Sequence, residues 1–203
     1  MPATPHANSR KGGPSSAAEA GEPPPPRLAH LPARDKLERL LRVAKGKKKA
    51  LIFTHDNPDP DSLAAAVALA HILERKAGVE AKVGYGGIIG RAENIAFVKV
   101  LHLPVKHVQE LDLDEFDLFG LVDTQPPVGN HSLPPKYKAD IVVDHHPLRE
   151  ESLQSAFADV GGDFGATSTM VVEYLRAARM EPSVDVATAL FYGIKADTRD
   201  LGR

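Results

Sequence analysis

The chain of 203 residues contains no cysteine, and this one absence removes two classes of protein. No disulfide framework can form and no thiolate site for zinc or an iron–sulfur cluster can be built, so any metal must be held by imidazole and carboxylate. An excess of one charge is also missing. The 25 Lys+Arg stand against 27 Asp+Glu, a formal net charge of −2, which leaves no polycationic surface for long duplex DNA. The longest apolar run, around 63–73, is about half of what a bilayer requires and follows several Asp residues, so no membrane span is expected. The N-terminus lacks the apolar stretch of a secretory signal, and a cytoplasmic location is the expectation.

The residues that are present divide the chain unevenly. Residues 1–27 hold seven of the 17 prolines and no Val, Ile, Leu, Phe or Tyr. Such a segment has almost nothing to bury against an ordering cost of roughly 1–2 kcal/mol per residue, which predicts a disordered arm. The folded part, 28–203, opens with Leu37, Leu40, Leu41 and Val43 largely at helical spacing over 35–44. The basic run Lys45-Gly46-Lys47-Lys48-Lys49 reads as a solvated turn, with a phosphate-backbone contact as the alternative. Beyond it, strand patterns at 50–54, 80–85, 105–108, 117–123, 140–144 and 156–160 alternate with helical ones at 62–76, 91–101, 167–180 and 184–196. This alternation predicts an α/β domain, a mostly parallel sheet flanked by helices and covered on both faces. Gly84, Gly86, Gly87 and Gly90 make a glycine-rich loop that matches neither common phosphate-loop pattern and reads as a plain loop, with a phosphate cradle as the weaker alternative.

Acidic and histidine residues gather in four places: His55-Asp56-Asn57-Pro58-Asp59-Pro60-Asp61-Ser62, Val122-Asp123-Thr124, Asp144-His145-His146-Pro147 and Ala196-Asp197-Thr198. The first three follow predicted strands, at the edge where open parallel sheets place their ligands, so they converge in space. A lone Asp there would be a helix cap or turn former, whereas four clusters on one rim point to chemistry. Carboxylates and imidazoles without thiolate suit a hard to borderline dication, Mn²⁺, Mg²⁺ or Co²⁺, better than structural zinc. Asp59, Asp61, Asp123 and Asp197 would balance two such ions. Without them the carboxylates repel in a partly desolvated crevice, and one takes up a proton or the loops open. Two ions about 3.5–4 Å apart lower the pKa of a shared water and clamp a phosphate, which implies hydrolysis of a phosphoester or phosphoanhydride.

As a set, His55-x-x-x-Asp59-x-Asp61-Ser62, Val122-Asp123-Thr124, Asp144-His145-His146-Pro147 and Asp197-Thr198 resemble the motifs of the DHH phosphoesterases, from about residue 50 to the end of the chain. The resemblance implies two divalent metal ions, with Mn²⁺ preferred: His55 and Asp59 on one, Asp61, His145 and Asp197 on the other, and Asp123 bridging. It turns His146 toward the substrate phosphate and makes Asp144 the carboxylate that orients the neighbouring imidazole. The segment Gly165-Ala166-Thr167-Ser168-Thr169 resembles the family's small-residue segment beside the site. Ser168 and Thr169 are therefore candidates for phosphate contact, with helix capping as the alternative.

Members of the family usually continue into a smaller C-terminal domain that clamps the substrate, and nothing up to Arg203 is expected to serve as one. The compact motif spacing and the Asp144-His145-His146-Pro147 form resemble the nanoRNase and phosphoadenosine-phosphate phosphatase branch more than the RecJ-type exonucleases. The partner this implies is a short oligonucleotide or nucleotide phosphate. Manganese-dependent inorganic pyrophosphatases are similar too, but resemble one another in carrying His directly after the second-motif Asp, where this chain has Thr124. A non-catalytic cyclic-dinucleotide sensor is a third reading, one with no need for all six metal ligands. The oligomeric state stays open. The other candidates take ordinary readings: His71 packs in a helix, His102, His107 and His131 belong to loops or strand edges, His6 and His30 fall in or beside the arm, Asp56 is a turn residue, and Arg199 and Arg203 are solvated.

Overall fold

In a computed structural model the described residues are 28–161 and 163–202. The arm expected at 1–27 lies outside them. Helix α1 (Ala33–Ala44) leads into six strands, β1 (Lys49–Phe53), β2 (Glu80–Tyr85), β3 (Val105–His107), β4 (Leu118–Val122), β5 (Ile141–Asp144) and β6 (Phe157–Val160). Between and after them come α2 (Pro60–Ile72), α3 (Ala92–Val100), α4 (Thr167–Ala177) and α5 (Val184–Asp197). Every pairing is parallel and the order across the sheet is β3-β2-β1-β4-β5-β6. The order therefore reverses between β1 and β4, and the crevice beyond their C-terminal ends is where such sheets bind ligands.

The period-two alternation of the strands divides the interior in two. Ala50, Ile52, Leu118, Val122, Ile141 and Val143 join the core built with residues of all five helices. Leu51, Phe53, Phe119, Leu121 and Val142 face the other way, where Phe116, Leu133, Tyr137 and Leu148 cover them from loops. Loops and short 3-10 turns thus cover this second face. Helix α2 is buried at every position except His71. A helix apolar all round needs protein on all sides, and α2 packs against the sheet, α4 and α5. It continues past Ile72 as a π-helical turn, Leu73–Ala77, that ends at Gly78 in the left-handed conformation.

The basic run after α1 lies at the sheet edge opposite the crevice. The backbone amides of Lys48 and Lys49 donate to the Asp117 carboxylate, and Lys49 Nζ pairs with Glu115 at 2.9 Å. A second ionic tie is buried. Lys36 Nζ meets Asp159 Oδ1 at 3.0 Å, and the Tyr174 hydroxyl donates to the other Asp159 oxygen, joining α1, β6 and α4. Burial and the Asp159 charge raise the Tyr174 pKa well above that of free tyrosine, so it stays a neutral donor. Removing one partner of such a pair strands the other charge in the core. Lys36→Met is expected to lower unfolding stability by about 3–5 kcal/mol in urea titrations. The double variant Lys36→Met/Asp159→Leu should lose less, and equal losses would contradict the pairing.

Candidate metal centre

Each cluster arrives at the crevice for a local reason. Asp59 ends the β1–α2 loop as the N-cap of α2: its Oδ1 accepts from the Ser62 amide at 3.0 Å, while the Ser62 hydroxyl accepts from the Asp59 amide at 3.2 Å, with Pro60 in the first turn. Ser62 therefore closes a capping box, and Asp61 sits in the first buried turn. Asp123 follows β4 with φ of 60°, a left-handed conformation that Asp tolerates better than most residues but that still stores strain. Its amide donates to Val143 O, which fixes it against β5. Asp197 is the last residue of α5, one turn beyond Gly193. A Cβ at Gly193 would stand 3.0 Å from the Asp61 Cα and 2.9 Å from the Ser168 hydroxyl, so only glycine lets α5 approach α2 closely enough to deliver Asp197.

The residues so placed form three overlapping groups, His55/Asp59/Asp123, Asp61/His145/Asp197 and Asp123/His145/His146, with the ligand atoms of each within 4.8 Å of one another. Asp123 turns one oxygen each way. Its Oδ2 lies 3.6 Å from His55 Nε2 and its Oδ1 3.6 Å from His145 Nε2. Both imidazoles have their other nitrogen at a backbone carbonyl: His55 Nδ1 at Asp56 O, 3.0 Å, and His145 Nδ1 at Phe164 O, 3.2 Å. A carbonyl only accepts, so in both rings Nδ1 carries a proton and Nε2 faces the carboxylates, the tautomer a metal ligand requires. His145 Nε2 is buried without a hydrogen-bond partner among the described residues, with Asp197 Oδ2 3.3 Å away. An orphaned imidazole nitrogen among carboxylates, with no thiolate nearby, fits a divalent cation.

Electrostatics carries the same message. Burial first, then the charges of Asp61, Asp59 and Asp144, push the Asp123 carboxyl up to about 8. Burial also raises Asp61, against the pull of hydrogen bonds from Ser168 and Thr167. His55 is raised to about 9: burial opposes this, but the Asp59 bond, the Asp56 carbonyl and the Asp123 charge prevail. Protons thus gather where a cation would balance the carboxylates.

Around this cluster runs a supporting layer of hydrogen bonds. Asp61 accepts the amides of Thr167 at 2.7 Å and Ser168 at 2.8 Å, so its carboxylate caps α4, whose N-cap Ala166 has no side chain to do so. The Thr167 hydroxyl donates to Asp123 Oδ1 at 2.8 Å. Asp144 accepts His146 Nδ1 at 2.8 Å and the Gln125 amide at 2.7 Å. Gln125 is buried, also donates to Pro147 O, and accepts from the Arg149 amide and the Ser152 hydroxyl. The His146 ring, 56% exposed and held at Nδ1, presents its other nitrogen outward. Its pKa rises to about 9, chiefly through the Asp144 bond.

The structure brings His55, Asp59, Asp61, Asp123, Asp144, His145, His146 and Asp197 to one crevice. Ser168 is fully buried, and its amide and hydroxyl turn to Asp61, so the structure places it behind that carboxylate and not on the open crevice wall. Thr169 is half-buried, with its amide on Ala166 O. The glycine-rich loop braces the first motif: Gly86 O accepts from the Asn57 amide, and a Cβ at Gly86 would collide with Asp56 and Ser132. Asp56 is a brace as well, accepting from the Ser132 hydroxyl at 2.7 Å. Gln125, Thr167 as a side chain and Gly193 escape sequence reasoning. Only Gly193 carries a signal, lying one helical turn before Asp197.

The fold and the centre define a parallel α/β domain with a histidine–carboxylate crevice at its switch point. The profile described as DHH family, N-terminal domain, matches residues 49–194, and the chain belongs to this family. An uncharacterised protein of Methanocaldococcus jannaschii is 40% identical over 161 residues, 78% of this chain and 32% of that protein. A probable manganese-dependent inorganic pyrophosphatase of Lactobacillus gasseri is 28% identical over 150 residues, 74% of this chain and 48% of that protein. Among solved structures, an exopolyphosphatase-related protein from Bacteroides fragilis superposes with a TM-score of 0.64 at 16% identity, covering 86% of this chain and 53% of that one, a likeness of fold. The chain thus spans about a third to a half of the length of these relatives. Among the described residues no helix is long and apolar enough to cross a membrane.

The crowding of charge sets a pH dependence. Asp123 at about 8, and His55 and His146 at about 9, all lie above their unfolded values of about 3.9 and 6.5. A raised pKa contributes stability that is complete below the unfolded value and is lost as pH rises through the folded one. Between about pH 6.5 and 8 all three act in one direction, whereas the lowered Asp59 and Asp144 act only near pH 4 and below. Without metal, the melting temperature should fall over that interval, and added Mn²⁺ should raise it more at pH 8 than at pH 6.5. A flat or rising profile in calorimetry would contradict the protonation of the centre.

Proposed function

We propose that this chain is the catalytic domain of a metal-dependent phosphoester hydrolase, that residues 1–27 are an arm outside that domain, and that its substrates are short oligonucleotides or nucleotide phosphates. The observation that carries the reading is the division of the Asp123 carboxylate between two imidazole–carboxylate groups. His55 and Asp59 hold one divalent cation, Asp61, His145 and Asp197 the other, and Asp123 both, with Mn²⁺ supported by the pyrophosphatase relatives. Such a pair supplies Lewis acidity toward water and a phosphoryl oxygen. The chain's own residues do the rest. Thr167 and the first amides of α4 keep Asp123 and Asp61 in place. Asp144, locked by Gln125, holds His146 so that its outer nitrogen reaches a phosphoryl oxygen or supplies a proton to the departing one. Thr169, half-buried in the first turn of α4, is the remaining candidate for substrate contact from that segment. The proposed setting is cytoplasmic.

Inorganic pyrophosphate is the second reading, favoured by the identity to proteins described as probable manganese-dependent inorganic pyrophosphatases. Against it, the position after Asp123 holds Thr124, which is buried with its hydroxyl on Asn130 and offers a phosphate no imidazole. Comparison of kcat/KM with Mn²⁺ separates the two: a dinucleotide or adenosine 3′,5′-bisphosphate should exceed pyrophosphate, and the reverse order would install the second reading. Asp123→Ala should bind at most one equivalent of Mn²⁺ and lose hydrolysis of every substrate. Two equivalents retained by the variant in equilibrium dialysis would refute the bridging role.

A further inference from the structure

The cleft at the metal centre has a second wall that the ligand set does not use. His55, Asp59, Asp61 and Asp197 line one side of a cavity of about 550 Å³, and Ile88, Gly90, Arg91 and Asn94 line the other. Arg91 is exposed and makes no ion pair or side-chain hydrogen bond among the described residues, although it shares the cleft with three carboxylates. It is the N-cap of the nine-residue helix α3, and no side chain caps that helix, so its first amides point outward unclaimed. Asn94, in the first turn, is only 7% exposed. The residue lines the cleft, and its carboxamide makes no hydrogen bond among the described residues. Its polar atoms are accessible at the cleft surface, where a ligand would supply the missing partner.

We propose that Arg91, Asn94 and the first turn of α3 form a binding subsite for a second phosphoryl group of the substrate, facing the one held at the metal centre. The proposal rests on the hydrolase reading and adds to it the substrate class, molecules carrying two phosphoryl groups. A guanidinium supplies a planar pair of donors, the helix terminus supplies further N–H donors and a favourable dipole, and Asn94 NH₂ completes an anion cradle with no competing carboxylate of its own wall except Glu93, which is exposed. The two phosphoryl groups could share a bridging atom, as in a phosphoanhydride, or stand apart on a sugar, as in a nucleotide bisphosphate. The shared chemistry is the second dianion.

Non-hydrolysable ligands test this by calorimetric titration of the Mn²⁺-loaded chain. Methylphosphonate offers one phosphoryl group, imidodiphosphate two on a shared atom, and pentane-1,5-bisphosphonate two at the spacing of a ribose 3′,5′-bisphosphate. At least one of the two-headed ligands should bind about tenfold or more tightly than methylphosphonate, and which one does so identifies the source of the second group. Arg91→Gln, an exposed change that leaves the fold intact, and Asn94→Asp, which keeps shape but repels an anion, should each remove most of that advantage while leaving methylphosphonate binding within about twofold. Variants that bind the two-headed ligands as the parent does, or a parent that prefers neither, would overturn the subsite. Failure of the hydrolase reading looks different: no Mn²⁺-dependent turnover by the parent, with the binding pattern intact.

Discussion

Five carboxylates and three imidazoles meet at the reversal point of the sheet, and the mutual repulsion of the carboxylates sets the terms for everything around them. In water such charges would spread apart or be screened. Here Asp123, Asp61 and Asp144 are almost wholly buried, so the repulsion persists and shows itself as protons held near and above neutrality on Asp123, His55 and His146. The strained backbone at Asp123 belongs to the same logic, because a relaxed residue at the end of β4 would not aim its carboxylate between His55 and His145.

Holding such a cluster together requires donors that cannot move. The first turn of α4 supplies two amides to Asp61 and one hydroxyl to Asp123, and the α2 capping box fixes Asp59. Gln125 satisfies all its hydrogen-bonding capacity within the chain, two bonds given and two received, and thereby fixes Asp144 and, through it, His146. Helix ends and a buried amide do this better than long charged side chains, since they lose little conformational freedom on binding. The glycines follow from the same need for proximity. Gly193 admits α5 against α2, and Gly86 admits the β2–α3 loop against the first motif.

The family membership and the site agree on the kind of chemistry, and the cleft wall formed by α3 gives that chemistry a direction. A centre that binds one phosphoryl group is common to many hydrolases. In the proposed subsite, Arg91 and Asn94 would supply the asymmetry from which discrimination among phosphate compounds comes.

The α/β architecture and the residues that gather at the crevice were legible in the chain itself. Period-two and period-3.6 apolar patterns are local properties, so the strands at 80–85 and 105–107 and the helices starting at Thr167 and Val184 could be placed within a few residues. The acidic and histidine clusters after successive strands were equally local, and parallel topology alone carries them to one edge. What the tertiary structure decided is which partners those residues take. Ser168 could cap, touch substrate or hold a carboxylate as far as sequence goes, and only the approach of α2 selects Asp61. Gln125, an ordinary polar residue after β4, becomes a buried clamp because β5 and the following turn close over it. Helices cover one face of the sheet and loops the other, a division that long-range packing sets. Contacts between residues far apart in the chain depend on shape and close approach, and a one-dimensional pattern does not contain them.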